Sequence, residues 1–139
     1  MPRFLLASTL LATAVTPAAL ADVSSWIGPP AGNWSLLGNW SNGVPNDIAI
    51  INAARGSYAV TLDINANITH LTIGSGDSLT VPDNRNITLG GLLNDGMWIS
   101  QSEGNLTDIS INAETALFDG TGTIQFSSCR AAICSAPAL

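Results

Sequence analysis

Pairs of apolar residues with one residue between them recur along most of this chain, and no other feature limits its fold as strongly. They are Val60/Leu62, Leu71/Ile73, Leu79/Val81, Ile87/Leu89, Met97/Ile99, Ile109/Ile111 and Ile124/Phe126. Alternate residues of a strand face the same side, so each pair offers two side chains to one face. Turn-forming groups separate the pairs: Asn65-Ala66-Asn67, Gly74-Ser75-Gly76-Asp77, Pro82-Asp83-Asn84, Gly90-Gly91, Asn94-Asp95-Gly96, Gly104-Asn105 and Gly120-Thr121-Gly122. Most intervals are about eight to twelve residues, the spacing of a chain built from short strands. No helical stretch interrupts them. Such spacing fits an antiparallel β-sandwich. It fits equally a β-solenoid, in which two or three strands make one rung and the rungs stack in parallel.

Periodicity alone leaves that choice open. Tight hairpin signals are few, with Asn94-Asp95-Gly96 the best of them, and the recurring Leu-x-Ile/Val theme favours a repeat. As a solenoid, residues 60–126 supply about three rungs, near the minimum for a stable stack. Leu71, Ile73, Leu79, Val81, Ile87 and Leu89 are expected to share one continuous interior.

The segment before these strands has a different character. Trp26, Trp34 and Trp40 are separated by Gly28-Pro29-Pro30, Gly32-Asn33 and Gly38-Asn39, and Asn42-Gly43 follows. Neither a helical nor a strand period fits, and the intervening dipeptides are turn signals. A stack of strands exposes apolar side chains and unpaired backbone groups on its first rung, so it needs a cap. Residues 22–52 are expected to supply one, with the tryptophan rings as the plug, and to end in the first strand. The alternative is a sugar-stacking platform formed by Trp34 and Trp40, since a broad ring with one polar edge suits that task.

A resemblance tips the choice of architecture. Trp26, Gly32-Asn33-Trp34, Asn39-Trp40, Gly43, Pro45, Asp47 and Ile48-Ala49-Ile50 resemble the start of many exported bacterial β-helical proteins. So do Val60-Thr61-Leu62-Asp63, Ile68-Thr69-His70-Leu71-Thr72-Ile73-Gly74 and Leu79-Thr80-Val81, which follow in the same order. Such proteins include autotransporter-type adhesin passengers and the repeat proteins that carry a PEP-CTERM sorting tail. The resemblance covers residues 26–126. It implies an all-β, right-handed parallel β-helix on the cell surface, with host-surface or matrix glycans or proteins as partners. It implies little about any biochemical activity.

The chain opens as an exported protein does. Arg3 gives a short positive region, residues 4–15 are mostly apolar, Pro17 breaks any helix, and Ala19-Leu20-Ala21 is a small-x-small site before Asp22. This reads as a secretory signal peptide over residues 1–21, with cleavage between Ala21 and Asp22. The apolar run is shorter than the roughly 20 residues a membrane span needs. No second run of spanning length follows, so the mature chain is expected to carry no transmembrane anchor. Destinations are the periplasm, the cell surface or the medium.

Charge narrows the partners. The chain has no lysine, four arginines and ten carboxylates, for a net charge of −6. Nucleic-acid binding needs clustered Lys or Arg to neutralise phosphates, and this chain has no such cluster.

No constellation for catalysis stands out. His70 is the single histidine, lies between Thr69 and Leu71 in a strand, and is expected to face solvent. The acids Asp63, Asp77, Asp83, Asp95, Glu103, Asp108, Glu114 and Asp119 are scattered, and several sit where turn chemistry explains them. Polysaccharide cleavage by a β-helical lyase or hydrolase is therefore ranked below binding, because hydrolysis requires two carboxylates across a bond. Gly74-Ser75-Gly76-Asp77 resembles part of a calcium-binding nonapeptide, but it occurs once and lacks the paired glycines, so no metal or cofactor is expected. Sequons begin at Asn33, Asn39, Asn67, Asn86 and Asn105, as chance allows in a chain so rich in Asn, Ser and Thr.

After Phe126 the composition changes. Residues 127–139 lose the Asn, Gly and Thr of the strands and hold both cysteines, Cys129 and Cys134. An exported protein can join them in a small disulfide loop. The tail is expected to be disordered and a poor cap, and the chain to be a fragment of a longer protein. The sequence thus points to a non-enzymatic β-helical surface module of the adhesin or scaffold type.

Overall fold

The computed structural model describes residues 20–127. The signal segment lies outside that range as far as residue 19, and so do Cys129, Cys134 and the possible bond between them.

The chain winds as a parallel β-helix of five turns. The first turn holds β1 (Val23–Ser25) and β2 (Ala31–Asn33). The second holds β3 (Ile48–Ile51), β4 (Ala59–Thr61) and β5 (Ala66–Ile68). The third holds β6 (His70–Ile73), β7 (Ser78–Val81) and β8 (Asn86–Leu89). The fourth holds β9 (Leu92–Asn94), β10 (Met97–Ser100) and β11 (Asp108–Ile111). The fifth holds β12 (Phe118–Asp119) and β13 (Thr123–Phe126). Stacking the turns makes three sheets, ordered β1-β3-β6-β9-β12, β2-β4-β7-β10-β13 and β5-β8-β11. Every strand pair is parallel. That rules out the sandwich, whose sheets are antiparallel.

The turn count corrects the expected three rungs. Two turns begin within the segment read as a cap: Val23 pairs with Ile48, and Ala31 with Ala59. These strands are short and carry no apolar alternation, so nothing in their composition marks them. Asn94-Asp95-Gly96 is likewise no hairpin. It is a corner between two strands of different sheets, and Asn94 points inside.

Register sets the core. Ala49, Leu71, Leu92 and Phe118 align strand to strand in the first sheet, and Val60, Leu79, Trp98 and Ile124 in the second. Ile87 and Leu89 align with Ile109 and Ile111 in the third. Leu71, Ile73, Leu79, Val81, Ile87 and Leu89 are all fully buried, as the alternation predicts. The pair Met97/Ile99 is a correction. Met97 is exposed, while Trp98 and Ser100 point inward. Pairing with β7 places Trp98 on Leu79 and Ser100 on Val81, so the ladder overrides the local pattern.

The corners are tight. A Cβ on Gly96 would press into the carbonyl oxygens of Gly74 and Asp77 one turn earlier, and one on Gly122 into those of Asn94 and Gly96. Only glycine lets consecutive turns approach this closely at that corner.

Candidate functional site

The tryptophans come together as the sequence suggests, but inside the fold. Trp26 meets Trp40 edge to face with ring centroids 5.1 Å apart, and Trp34 meets Trp40 at 4.7 Å. Trp40 donates its indole N–H to the carbonyl of Trp34 (2.8 Å), and Trp26 donates to that of Pro29 (3.0 Å). Trp34 is 0% exposed and Trp40 3%. A sugar ring stacks on an open aromatic face, and neither ring has one, so the platform assigned to Trp34 and Trp40 is absent. The polypeptide between the rings closes over them. Asn39, itself buried, donates its side-chain amide to the carbonyl of Asn33 (3.1 Å), and its backbone carbonyl accepts from Ile27 (2.8 Å).

The acids of the turns are spent between rungs. The two oxygens of buried Asp77 accept the backbone N–H groups of Ala53 (2.8 Å) and Tyr58 (2.7 Å), one turn earlier. Asp63 accepts the backbone N–H of Ser35 (2.9 Å) and its hydroxyl (2.6 Å), also one turn earlier. Asp47 reaches both ways, accepting from Asp22 N–H (2.9 Å) and from the hydroxyl of Thr69. Asp83 accepts from the backbone of Asn105 (3.0 Å) and Asp95 from that of Thr121 (2.9 Å), each one turn later. The bonds from the backbone of Ser35, Ala53, Tyr58, Asn105 and Thr121 satisfy donors that the corners take out of their ladders. For Asp63, burial pushes the carboxyl pKa up, but the Ser35 hydroxyl and amide, its own amide and the charge of Arg85 outweigh that and hold it below the usual carboxylate range.

These carboxylates do not gather. Among the described residues no group of three His, Cys, Asp or Glu side chains is placed to hold a metal ion. His70 sits half-buried on the outer face of β6, aligned with Ile48, while its neighbour Leu71 points inward.

Two features remain that sequence reasoning missed. The first is the outer face of the second sheet. One row runs Asn33, Thr61, Thr80, Ile99, Gln125, and a second runs Ala31, Ala59, Ser78, Met97, Thr123. Neither row contains a charged side chain. Neighbouring strands lie about 4.8 Å apart, so each row is a regular line of side chains across all five turns. The signal was present in the sequence, as the residues between and beside the apolar pairs, but the register needed to align them was not.

The second is the end of the stack. Leu92, Trp98, Ile109, Phe118, Ile124 and Phe126 line an open apolar cavity of about 360 Å³. Ile111 of the fourth turn and Phe118, Ile124 and Phe126 of the fifth are exposed, although their ladders place them as interior residues. The indole N–H of Trp98 is buried there without a hydrogen-bond partner.

Comparison with protein-family models, curated proteins and solved structures finds no match for this chain.

Proposed function

We propose that this chain is an exported, non-enzymatic β-helical module of the surface or adhesin type, a rigid scaffold that binds through a flat sheet face. The observation that carries this reading is the uncharged outer face of the second sheet, with Asn33, Thr61, Thr80, Ile99 and Gln125 in one row. A β-helix holds such a row without side-chain ordering, because inter-rung bonds and the buried core fix every strand. Hydroxyl and amide groups at strand spacing, flanked by Met97 and Ile99, suit an extended glycan or a protein surface. Both partners present polar groups and apolar patches without needing opposite charge.

The turn acids contribute to the scaffold, since they bridge consecutive rungs. Export is supported by the signal-like sequence of residues 1–21.

The test is binding of the purified chain to arrays of surface and matrix glycans and proteins. Thr61→Arg and Thr80→Arg, both outward on the second sheet, should reduce binding at least tenfold. Thr88→Arg, outward on the third sheet, should leave it unchanged. Equal binding by all three variants would remove the sheet face from the reading, and turnover of a polysaccharide would replace a scaffold with an enzyme.

A further inference from the structure

At the corner that leads into the first sheet, one backbone nitrogen faces a carboxylate of the next turn. The N–H of Asp22 donates to Asp47 Oδ2 at 2.9 Å. The N–H of Ile48 donates back to the Asp22 carbonyl at 3.0 Å, and Asn42 donates its side-chain amide to the Asp22 carboxylate. These bonds fix Asp22 just before β1, while Leu20 and Ala21 on its other side are exposed. Resting on the export reading above, we infer that cleavage between Ala21 and Asp22 turns this nitrogen into an α-ammonium that pairs with the Asp47 carboxylate. Removal of the leader thereby tightens the first turn onto the second.

The step is a peptide-bond hydrolysis by a signal peptidase of the exporting cell. Water adds its oxygen to the Ala21 carbonyl carbon, the bond from that carbon to the Asp22 nitrogen breaks, and Ala21 leaves as a carboxylate. The freed nitrogen keeps its own hydrogen and takes one from the water and one from the new carboxyl group. It is mostly an ammonium at neutral pH, since a free α-amino group ionises near about pH 7.7–8.0. Before cleavage the same nitrogen is a neutral amide, so the precursor cannot make the ion pair.

The charge of the corner calls for a cation. Asp22 and Asp47 bring two carboxylates to it, and the side chains that bond to them, Asn42 and Thr69, are neutral. The basic side chains among the described residues are Arg55, Arg85 and His70. Arg85 donates to the carbonyls of Asp63 and Asn84, and Arg55 lies beyond the other end of β3. His70 stands on β6 opposite Ile48, and it is its backbone N–H that donates to the Asp47 carbonyl, at 3.3 Å.

Most exposed ion pairs contribute little, because holding two flexible side chains in one geometry costs entropy. Here that cost is already met. The ammonium would sit on backbone that Ile48 and Asn42 hold in place, and the Asp47 carboxylate is held by the Thr69 hydroxyl. The position also matters. β1 is the edge strand of the first sheet, paired with β3 alone among the described residues.

The chain has no lysine, so its α-amine is its only primary amine and an acylating reagent reports on it alone. Such a reagent attacks the neutral amine, and pairing with Asp47 favours the charged form. A pKa raised by about one unit slows labelling near pH 7 roughly five- to tenfold.

The test expresses the full chain in an exporting bacterium and reads the first residue of the exported protein from its intact mass. The folded protein is then acetylated with N-hydroxysuccinimide acetate near pH 7, beside a synthetic peptide of residues 22–27. It should label roughly five- to tenfold more slowly than the peptide. Asp47→Asn, which keeps an acceptor for the Thr69 hydroxyl, should remove most of that difference. So should about 1 M sodium chloride on the parent chain, where the screening length falls to about 3 Å. The acetylated parent should unfold at a lower urea concentration than the free one, and Asp47→Asn should erase that gap. A first residue other than Asp22 would overturn the cleavage and the ion pair together. A chain that starts at Asp22 but labels as fast as the peptide would overturn the ion pair and leave the export reading standing. Slow labelling that survives both Asp47→Asn and salt would show a shielded amine rather than a paired one, and would overturn it as well.

Discussion

The indole N–H of Trp40 donates to the backbone carbonyl of Trp34 at 2.8 Å, and both rings are buried. One bond thus ties together the two ends of a loop whose regular structure is a single 3-10 turn, Leu37–Asn39. The rings take over the role a preceding rung would have, covering the start of the core on backbone that turns too sharply to form long strands. Trp34→Ala removes a fully buried ring and should cost about 3–5 kcal/mol. Trp40→Phe keeps most of the volume but leaves the Trp34 carbonyl unpaired, for about 1–3 kcal/mol. Urea unfolding followed by circular dichroism measures both. Values near zero would show that the ring cluster is not part of the core.

The middle rung should be the least tolerant of cavities. Leu71 and Leu79 are fully buried and have a core neighbour in the turn before and the turn after. Leu71→Ala or Leu79→Ala should each cost about 2–5 kcal/mol, a large part of the stability of an ordinary domain. Thr72→Ala, on the outer face of the same strand as Leu71, should stay within about 0.5 kcal/mol. A similar loss at all three positions would contradict the division of β6 into an inner and an outer face.

Asp77 tests the idea that corner acids serve the backbone. Its two oxygens accept from Ala53 and Tyr58, and both bonds need an acceptor. Asparagine has one acceptor and a donor in place of the other, so Asp77→Asn sets an N–H against a buried N–H. The expected cost is about 1.5–3 kcal/mol. If Asp77→Asn unfolds at the same urea concentration as the parent chain, the carboxylate has some other purpose at that corner.

Much of this architecture was legible because strand alternation is a short-range signal. Leu71/Ile73, Leu79/Val81 and Ile87/Leu89 each declare an inner face within three residues, and all six are buried. Where two alternations compete, local pattern fails. In β10 the pair Met97/Ile99 is as apolar as Trp98/Ser100, and only the ladder to Leu79 and Val81 decides between them. Val23–Ser25 and Ala31–Asn33 were illegible for a different reason, being strands only by virtue of partners 25 and 28 residues onward. The partners of Asp77 lie 24 and 19 residues earlier, both in the irregular corner between β3 and β4, so no spacing rule exposes them. The uncharged outer rows of the second sheet have the same origin. Each member is an unremarkable surface residue until the stack aligns it with the others.

Asp63 gives the fold a dependence on acid. Its carboxylate accepts the Ser35 hydroxyl at 2.6 Å and the Ser35 N–H at 2.9 Å, joining the second turn to the first. Arg85 lies close enough to add a favourable charge, and its Nε donates to the Asp63 carbonyl at 2.9 Å. Burial opposes ionisation, but these partners outweigh it and hold the pKa below the usual carboxylate range, near 3.9 in an unfolded chain. A group whose pKa is lower folded than unfolded binds fewer protons in the folded state. Its stabilisation is fully present above the unfolded value and is lost as pH falls through the folded one. Stability should therefore be flat in this contribution above about pH 5 and decline below about pH 4. Asp63→Asn removes the titration, so the difference between parent and variant should be about 1–2 kcal/mol at pH 7 and should shrink toward zero as the pH is lowered. Urea unfolding of both chains between pH 7 and pH 2.5 measures it. A difference that stays constant over that range would mean that Asp63 acts by shape rather than by charge.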